Sequence, residues 1–356
     1  MRTRSIGRVL GFLLLLLGSA CLEVDGQDLV LRVDPANDRI DVLLVHRGLF
    51  AAARSGVDGE PLPRALRDLD AVADSGRLVL WHDRLLSLDP SAEHAPAIAA
   101  LLAHVDVENG GLFTDPHGVL CAYQFVRVRD ARRCLDALDA LLARALAAAM
   151  RDGLDLGDGR HRFDDDSRQR LAERLRNGER MLRVEPGRLE LRLPLSPRDH
   201  AWAKAQLAKL LLRQLPYDLV ARHALASGDA APRSAAACEP LAGHSLPAAA
   251  LPELLAQAAS LRFFVANDVA VVRSRDQTSL VLGSGEAGDL ALHKPAHGVH
   301  DHALTAALRA RGTPIEAGVP DAELHRRFFA FGAREAVLPP ALAARRPRAN
   351  TRPLAR

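Results

Sequence analysis

Between Leu189 and Leu195 leucine occupies every second position, and Arg188, Glu190 and Arg192 hold the alternate positions from 188 to 192. A period of two puts these sets on opposite faces of a strand, one apolar and one polar. The same alternation runs through Leu29, Leu31 and Val33, and again from Val119 to Val128, while Ile40 to Val45 is a β-branched-rich run. Turn chemistry separates the runs into pairs: Asp34-Pro35-Ala36-Asn37-Asp38, Asp115-Pro116-His117-Gly118 and Glu185-Pro186-Gly187. The pattern therefore predicts hairpins over 28–50, 102–129 and 181–195.

A period near 3.6 appears between and after them. Leu66, Leu69, Val72 and Ala73 predict a helix over 63–73, closed by Ser75-Gly76. Residues 77–88 read as mostly extended, and 95–103 as a short helix. Cys134, Leu135, Leu138, Leu141, Leu142 and Ala145 trace the best helical stripe, to about Met150, with Asp130 as its expected N-cap. Ser167 to Arg176 is a charged helix. Ser196-Pro197-Arg198-Asp199 opens another, to about Gln214, through a serine cap, a proline in the first turn and a following acid. Further on, a helix is expected over 252–259, and a hairpin pairs Leu261–Val265 with Val269–Arg273, followed by a strand from Ser279 to Leu282. Helices over 301–309 and 321–331 close the pattern. A hairpin followed by a helix occurs at 105–150 and at 181–214, a weak structural repeat without sequence similarity. The expected fold class is α+β, antiparallel hairpins alternating with amphipathic helices packed on one face.

Composition divides the chain. Of its 356 residues, 22–226 read as an α+β domain and 227–250, rich in Ala, Gly, Ser and Pro, as a linker or long loop. Residues 251–335 read as a smaller α+β region, separate or part of the same domain, and 336–356 as a basic disordered tail with Arg345, Arg346, Arg348, Arg352 and Arg356.

The first 21 residues change the picture most. Arg2, Arg4 and Arg8 precede an apolar run from Val9 to Leu17, and Gly18-Ser19-Ala20 leads into Cys21. This is the layout of a secretory signal, too short to span a bilayer comfortably. Gly18 and Ala20 satisfy the small-x-small rule of ordinary signal peptidase. The run Leu17-Gly18-Ser19-Ala20-Cys21 also resembles the lipobox of bacterial lipoproteins, with Gly18 where that family usually carries leucine. The resemblance implies cleavage before Cys21 and its lipidation, hence an exported chain anchored to a membrane and facing the periplasm or cell surface. Leu22 follows it, so no aspartate argues for inner-membrane retention.

Removal of the head also removes the net charge. The formal +3 is carried by Arg2, Arg4 and Arg8, and 44 basic residues then face 44 acidic ones. No nucleic-acid partner is expected. The four cysteines are Cys21, Cys121, Cys134 and Cys238. With Cys21 lipidated, three remain, at most one disulfide forms, and Cys121–Cys134 is the first candidate among three pairings.

Candidate chemistry is sparse. His293, His297, His300 and His302 place four imidazoles within ten residues, a composition that suits zinc, copper or nickel, zinc first. Gly283-Ser284-Gly285-Glu286-Ala287-Gly288 matches GxGxxG but precedes a stretch that reads as loop, so a glycine-rich turn is the expectation. Asp152, Asp155, Asp158, Asp164, Asp165 and Asp166 do not fit a calcium loop, and the last three suit the start of the helix at Ser167. Neither GxSxG nor SxxK is present. His46-Arg47 and Trp81-His82-Asp83 read as isolated pairs, with His46 on the surface. The expected function is a non-catalytic interaction or structural module of the cell envelope, with no cofactor, held by lipidated Cys21 and meeting an envelope protein. The alternative is a metal-binding periplasmic protein or metal-dependent hydrolase using residues 293–302.

Overall fold

Residues 39–49 leave almost no side chain open to water, whichever face it points to. A strand buried on both sides needs a layer on each, and the rest of the chain supplies both. The computed structural model describes residues 17–19, 21–52, 60–81, 84–89, 96–155, 160–203, 265–266, 269–274, 277–283, 285, 288–294, 296 and 298–334. The strands are β1 (Leu17–Ser19), β2 (Leu22–Asp34), β3 (Arg39–Ala51), β4 (Leu78–Trp81), β5 (Arg84–Ser87), β6 (Val105–Thr114), β7 (Leu120–Arg129), β8 (Leu154–Asp155) and β9 (Arg160–His161). They continue as β10 (Leu182–Glu185), β11 (Arg188–Leu193), β12 (Val265–Ala266), β13 (Val269–Arg273), β14 (Thr278–Leu282), β15 (Leu290–Lys294) and β16 (Ile315–Glu316). The helices are α1 (Pro61–Ser75), α2 (Pro96–Leu102), α3 (Ala131–Asp152), α4 (Asp165–Arg176), α5 (197–203), α6 (His302–Ala310) and α7 (Asp321–Ala333).

The α+β class expected from the sequence is what forms. Seven strands make the main sheet in the order β12-β15-β2-β3-β7-β6-β16, antiparallel throughout except for β16 beside β6. A four-stranded sheet, β10-β11-β14-β13, and a three-stranded one, β1-β5-β4, accompany it. The hairpins expected at 28–50, 102–129 and 181–195 are β2–β3, β6–β7 and β10–β11.

Helices cover the main sheet on both faces, not on one. Along β7, Cys121, Tyr123 and Phe125 point into a core closed by Leu324, Phe328 and Phe331 of α7. Leu120 and Ala122, on either side of Cys121 in sequence, point the other way, into a core of Leu22, Leu49, Ala65, Leu69, Leu304 and Leu308 from β2, β3, α1 and α6. A third core joins the C-terminal half of α3 (Ala143, Ala149, Met150) to Phe163, Leu171, Met181 and Leu195. Of the stripe on α3, Leu142 packs against this core and Cys134 is buried, while Leu138 in the first half remains exposed.

Several local expectations give way to tertiary partners. Asp130 does not cap α3 with its side chain; its backbone is left-handed (φ 50°) and its carboxylate pairs with His104 at 2.9 Å. The cap comes instead from the β2–β3 turn, where Asp38 accepts from Ala131 N through its carbonyl (2.8 Å) and from Arg132 N through its carboxylate (3.0 Å). Of the hairpin expected between 261–265 and 269–273, residues 261–264 lie outside the described residues, and the described part pairs elsewhere. β12 pairs with β15 in the main sheet, while β13 pairs with β14 in the four-stranded sheet. The stretch after the glycine-rich turn, expected as loop, is strand β15. On β11 the polar face is covered as well, with Glu190 buried between Arg188 and Arg192. Residues 265–334 thus lend strands to both larger sheets and helices to both main cores. The expected linker 227–250, the helix over 252–259, Cys238 and the tail 336–356 lie outside the described residues.

The end of α7 is closed from the sheet. Arg127 Nε donates to Asp41 Oδ1 at 2.6 Å and its Nη2 to Phe331 O at 2.9 Å, while Arg39 Nη2 donates to Gly332 O at 2.6 Å. Two guanidinium groups thus meet the last carbonyls of the helix, where its dipole is negative. Asp41 is fully buried, so its carboxylate is the charge that makes this arrangement tolerable. Removing one partner of a buried pair strands the other and costs about 3–5 kcal/mol. Asp41→Ala is expected to lower the urea midpoint by that amount of unfolding free energy. Arg326→Ala, on the exposed pair with Glu323, should change it by less than ~1 kcal/mol. Equal effects of the two variants would refute the account.

Candidate functional site

Cys21 stands where the head of the chain meets the fold. Its N–H donates to Asp68 Oδ2 of α1 at 2.7 Å, Leu22 N donates to the same oxygen at 3.2 Å, and its carbonyl accepts from Ala52 N at 2.8 Å. The side chain is buried at 6% exposure. Upstream, Leu17–Ser19 pairs with β5 as the outer strand of the small sheet. No described helix is long and apolar enough to cross a membrane.

Cys121 and Cys134 are both free and buried. Cys121 lies at the start of β7, its Sγ donating to Val119 O, and Cys134 follows the end of that strand, its Sγ donating to Arg129 O. The span from 121 to 129 along an extended strand is about 26 Å at roughly 3.3 Å per residue. A disulfide needs Cα atoms within about 7 Å, so the candidate bridge is corrected to two buried thiols. Burial pushes the Cys121 thiol up to about 11, which leaves it protonated and unreactive at neutral pH.

The histidine segment is held by backbone more than by its rings. Gly26 and Gly48, at neighbouring pairs of β2 and β3, leave a path on which it lies. A Cβ on Gly26 would stand 2.6 Å from that of Ala296, and one on Gly48, whose φ is +63°, would stand 2.8 Å from Asp25 Cβ and 3.2 Å from Val299 O. Asp25 Oδ2 accepts from Val299 N at 3.1 Å. Asp301 caps α6 by accepting from Leu304 N at 2.8 Å and also receives Ala51 N at 2.9 Å. His300 and His302, on either side of it, are exposed and stacked with centroids 5.9 Å apart. His293 is exposed on β15 opposite Asp28 of β2, and His297 lies outside the described residues. Among the described residues no three metal-ligating side chains converge.

A second acid–histidine cluster joins the starts of α4 and α5. Asp164 caps α4, accepting from Ser167 N at 2.8 Å, and takes the Ser196 hydroxyl on its other oxygen at 2.5 Å. Ser196 Oγ accepts from Asp199 N at 3.1 Å, capping α5 as the sequence implied. Asp199, fully buried, receives Asp164 N at 3.0 Å and pairs with His161 Nε2 at 2.9 Å. The His161 ring lies flat on Trp202 at 3.8 Å. Burial pushes the Asp164 carboxyl up, but hydrogen bonds from Ser196 and Ser167 hold it below the usual carboxylate range. The aspartates at 164–166 thus serve helix starts, and Asp165 and Asp166 pair with Arg168 and Arg170.

The sequence reading missed the largest polar feature. His46 is not at the surface; it is fully buried. Gln27 Nε2 donates to His46 Nδ1 (3.0 Å) and Leu80 O (3.1 Å). His46 Nε2–H donates to Gln124 Oε1 (3.1 Å), which also accepts from Leu80 N (2.9 Å). Gln124 Nε2 reaches Leu78 O (2.9 Å) and Asn109 Oδ1 (2.6 Å), and Asn109 Nδ2 donates to Val72 O of α1 (2.5 Å). Four adjacent strands each contribute one side chain to this line. The amide orientations that satisfy it assign the neutral Nε2–H tautomer to His46. The continuous apolar run Val42 to Val45 was the available signal, because a stretch apolar on both faces leaves its next residue no solvent to face.

Burial lowers the His46 pKa to about 4, the Gln124 bond opposing this in part. A folded-state value below the unfolded ~6.5 means that the unfolded chain binds the proton more tightly. This contribution to stability is complete above pH ~6.5 and declines as pH falls toward 4, by on the order of 3 kcal/mol. Urea unfolding of wild type and His46→Gln between pH 7 and pH 4 tests this. The wild-type slope should be steeper, and parallel slopes would contradict it.

No protein-family model matches the chain, and no curated protein and no solved structure matches it either.

Proposed function

We propose that the chain is an exported, lipid-anchored protein of the bacterial cell envelope that acts as a non-catalytic interaction or structural module. The observation that carries this reading is the head itself: Arg2, Arg4 and Arg8, the apolar run Val9–Leu17, then Gly18-Ser19-Ala20-Cys21. The fold is compatible with a cut there, because the main sheet takes up the chain at Leu22, directly after it. Two acyl chains on one cysteine would hold the protein at a membrane, at ~0.8 kcal/mol per buried methylene. The non-catalytic half of the reading is supported by where the polar groups are engaged: Asp164, Asp199 and Asp301 in helix caps and His46 inside the sheet.

A metal-binding reading has one specific observation in its favour, the exposed His300–His302 pair near His297 in sequence. It takes zinc as its metal and gives the segment either a carrier or a hydrolytic role.

Wild type expressed in a bacterium is expected to incorporate labelled palmitate and sediment with membranes. Cys21→Ser should lose the label and accumulate as a soluble or uncleaved form. Unchanged labelling of Cys21→Ser would end the lipoprotein reading. For the alternative, zinc retained by the purified protein and lost in His300→Ala/His302→Ala would favour metal binding; its absence from the wild type at neutral pH would remove that reading.

A further inference from the structure

Cys21 is the first residue past the candidate cut, and the fold grips it by its main chain. One oxygen of Asp68 receives the N–H of both Cys21 and Leu22, and Ala52 N donates to the Cys21 carbonyl. Asp68 is well placed to keep this grip. It projects from α1 beside Ala65 and Leu69, which pack with the fully buried Leu22 in one core. A carboxylate has room for more donors than the two amides it holds here through a single oxygen.

We propose that Asp68 is the seat of the amino group formed by cleavage before Cys21, so that the mature terminus is docked on α1 and the lipid leaves the fold without a flexible tether. This rests on the lipoprotein reading. In the cut, water hydrolyses the Ala20–Cys21 peptide bond: the hydroxyl goes to the Ala20 carbonyl, which departs as a carboxylate, and hydrogen goes to the Cys21 nitrogen. That nitrogen becomes an ammonium or, once acylated, an amide. Either form donates to Asp68. The ammonium adds charge attraction, and the amide retains the bond already present. The same cut removes Leu17–Ser19 from β5, and the side chain of Cys21, buried in the uncut chain, must turn outward to carry a thioether-linked lipid. No residue then separates the anchor from Leu22, which is fully buried in the core.

Four forms of the full chain test this on isolated bacterial membranes: wild type, a Gly/Ser spacer of about a dozen residues (~20 Å) inserted between Cys21 and Leu22, Asp68→Ala and Asp68→Asn. Palmitate label and the mass of the processed terminus are read first, then release of the domain by added protease. Docking predicts that the spacer form is released at least tenfold faster than wild type, that Asp68→Ala is released faster than wild type, and that Asp68→Asn, which still accepts from an acylated amide, stays close to wild type. All four should carry the label. Release of wild type at the spacer rate, or of Asp68→Ala at the wild-type rate, overturns the docking and leaves the lipid reading intact. If wild type carries no label but begins at Cys21, the lipid reading fails and the seat is read from the free amine. Wild type should then react with an amine reagent at least tenfold more slowly than Asp68→Ala, and equal rates overturn the seat. A terminus elsewhere overturns both.

Discussion

A polar line buried between α1 and the main sheet sets the terms for the rest of this structure. Gln27, His46, Gln124 and Asn109 come from four neighbouring strands and bond to one another, to the main chain of β4 and to the end of α1. Each strand's register is thereby tied to its neighbour's by something more specific than apolar contact, because a slip of one residue would place these groups on the opposite face. The cost is that His46 must stay neutral and that each amide must point one way. One atom, Gln27 Oε1, is left buried without a partner in this arrangement, so the line is held together by its other bonds.

With both faces of β3 buried, the ends of the covering helices fall near the sheet, and their exposed backbone groups need partners there. For α3 and α7 those partners come from distant sequence, and for α6 from the residue just before it. Asp38 in the β2–β3 turn serves the start of α3, Asp301 serves α6 while holding Ala51 of β3, and Arg127 with Arg39 closes α7. The segment leading into α6 lies on the main chain of β2 and β3 because Gly26 and Gly48 leave space for Ala296 and Val299. The histidines carried along that segment are thus positioned by a glycine path and a capping aspartate.

The same use of polar groups accounts for the acid–histidine cluster at the starts of α4 and α5. Aspartate, serine and histidine do come together at Asp164, Ser196, Asp199 and His161, yet the bonds they form satisfy two helix starts. A carboxylate at a helix start is stabilised by the free amides and the dipole there. The function proposed for the chain therefore draws on its head, where Cys21 and Asp68 meet, more than on a pocket or a reactive side chain.

The alternation of leucine, valine and their polar neighbours was enough to place the three hairpins, the long helix after Arg129 and the α+β class, because local periodicity records which face of an element is buried. The serine start at Ser196 and the acids before α4 were equally legible, since capping joins residues three apart. The head ending at Cys21 is also a purely local pattern. What the sequence could not decide was pairing between residues far apart. The partners of β12 and β13, the separation of Cys121 from Cys134, the cap that Asp38 lends to α3 and the burial of His46 all depend on which surfaces meet. Only the tertiary structure carries that, because a hydrogen bond between Gln124 and His46, 78 positions apart, leaves no period in the chain to read.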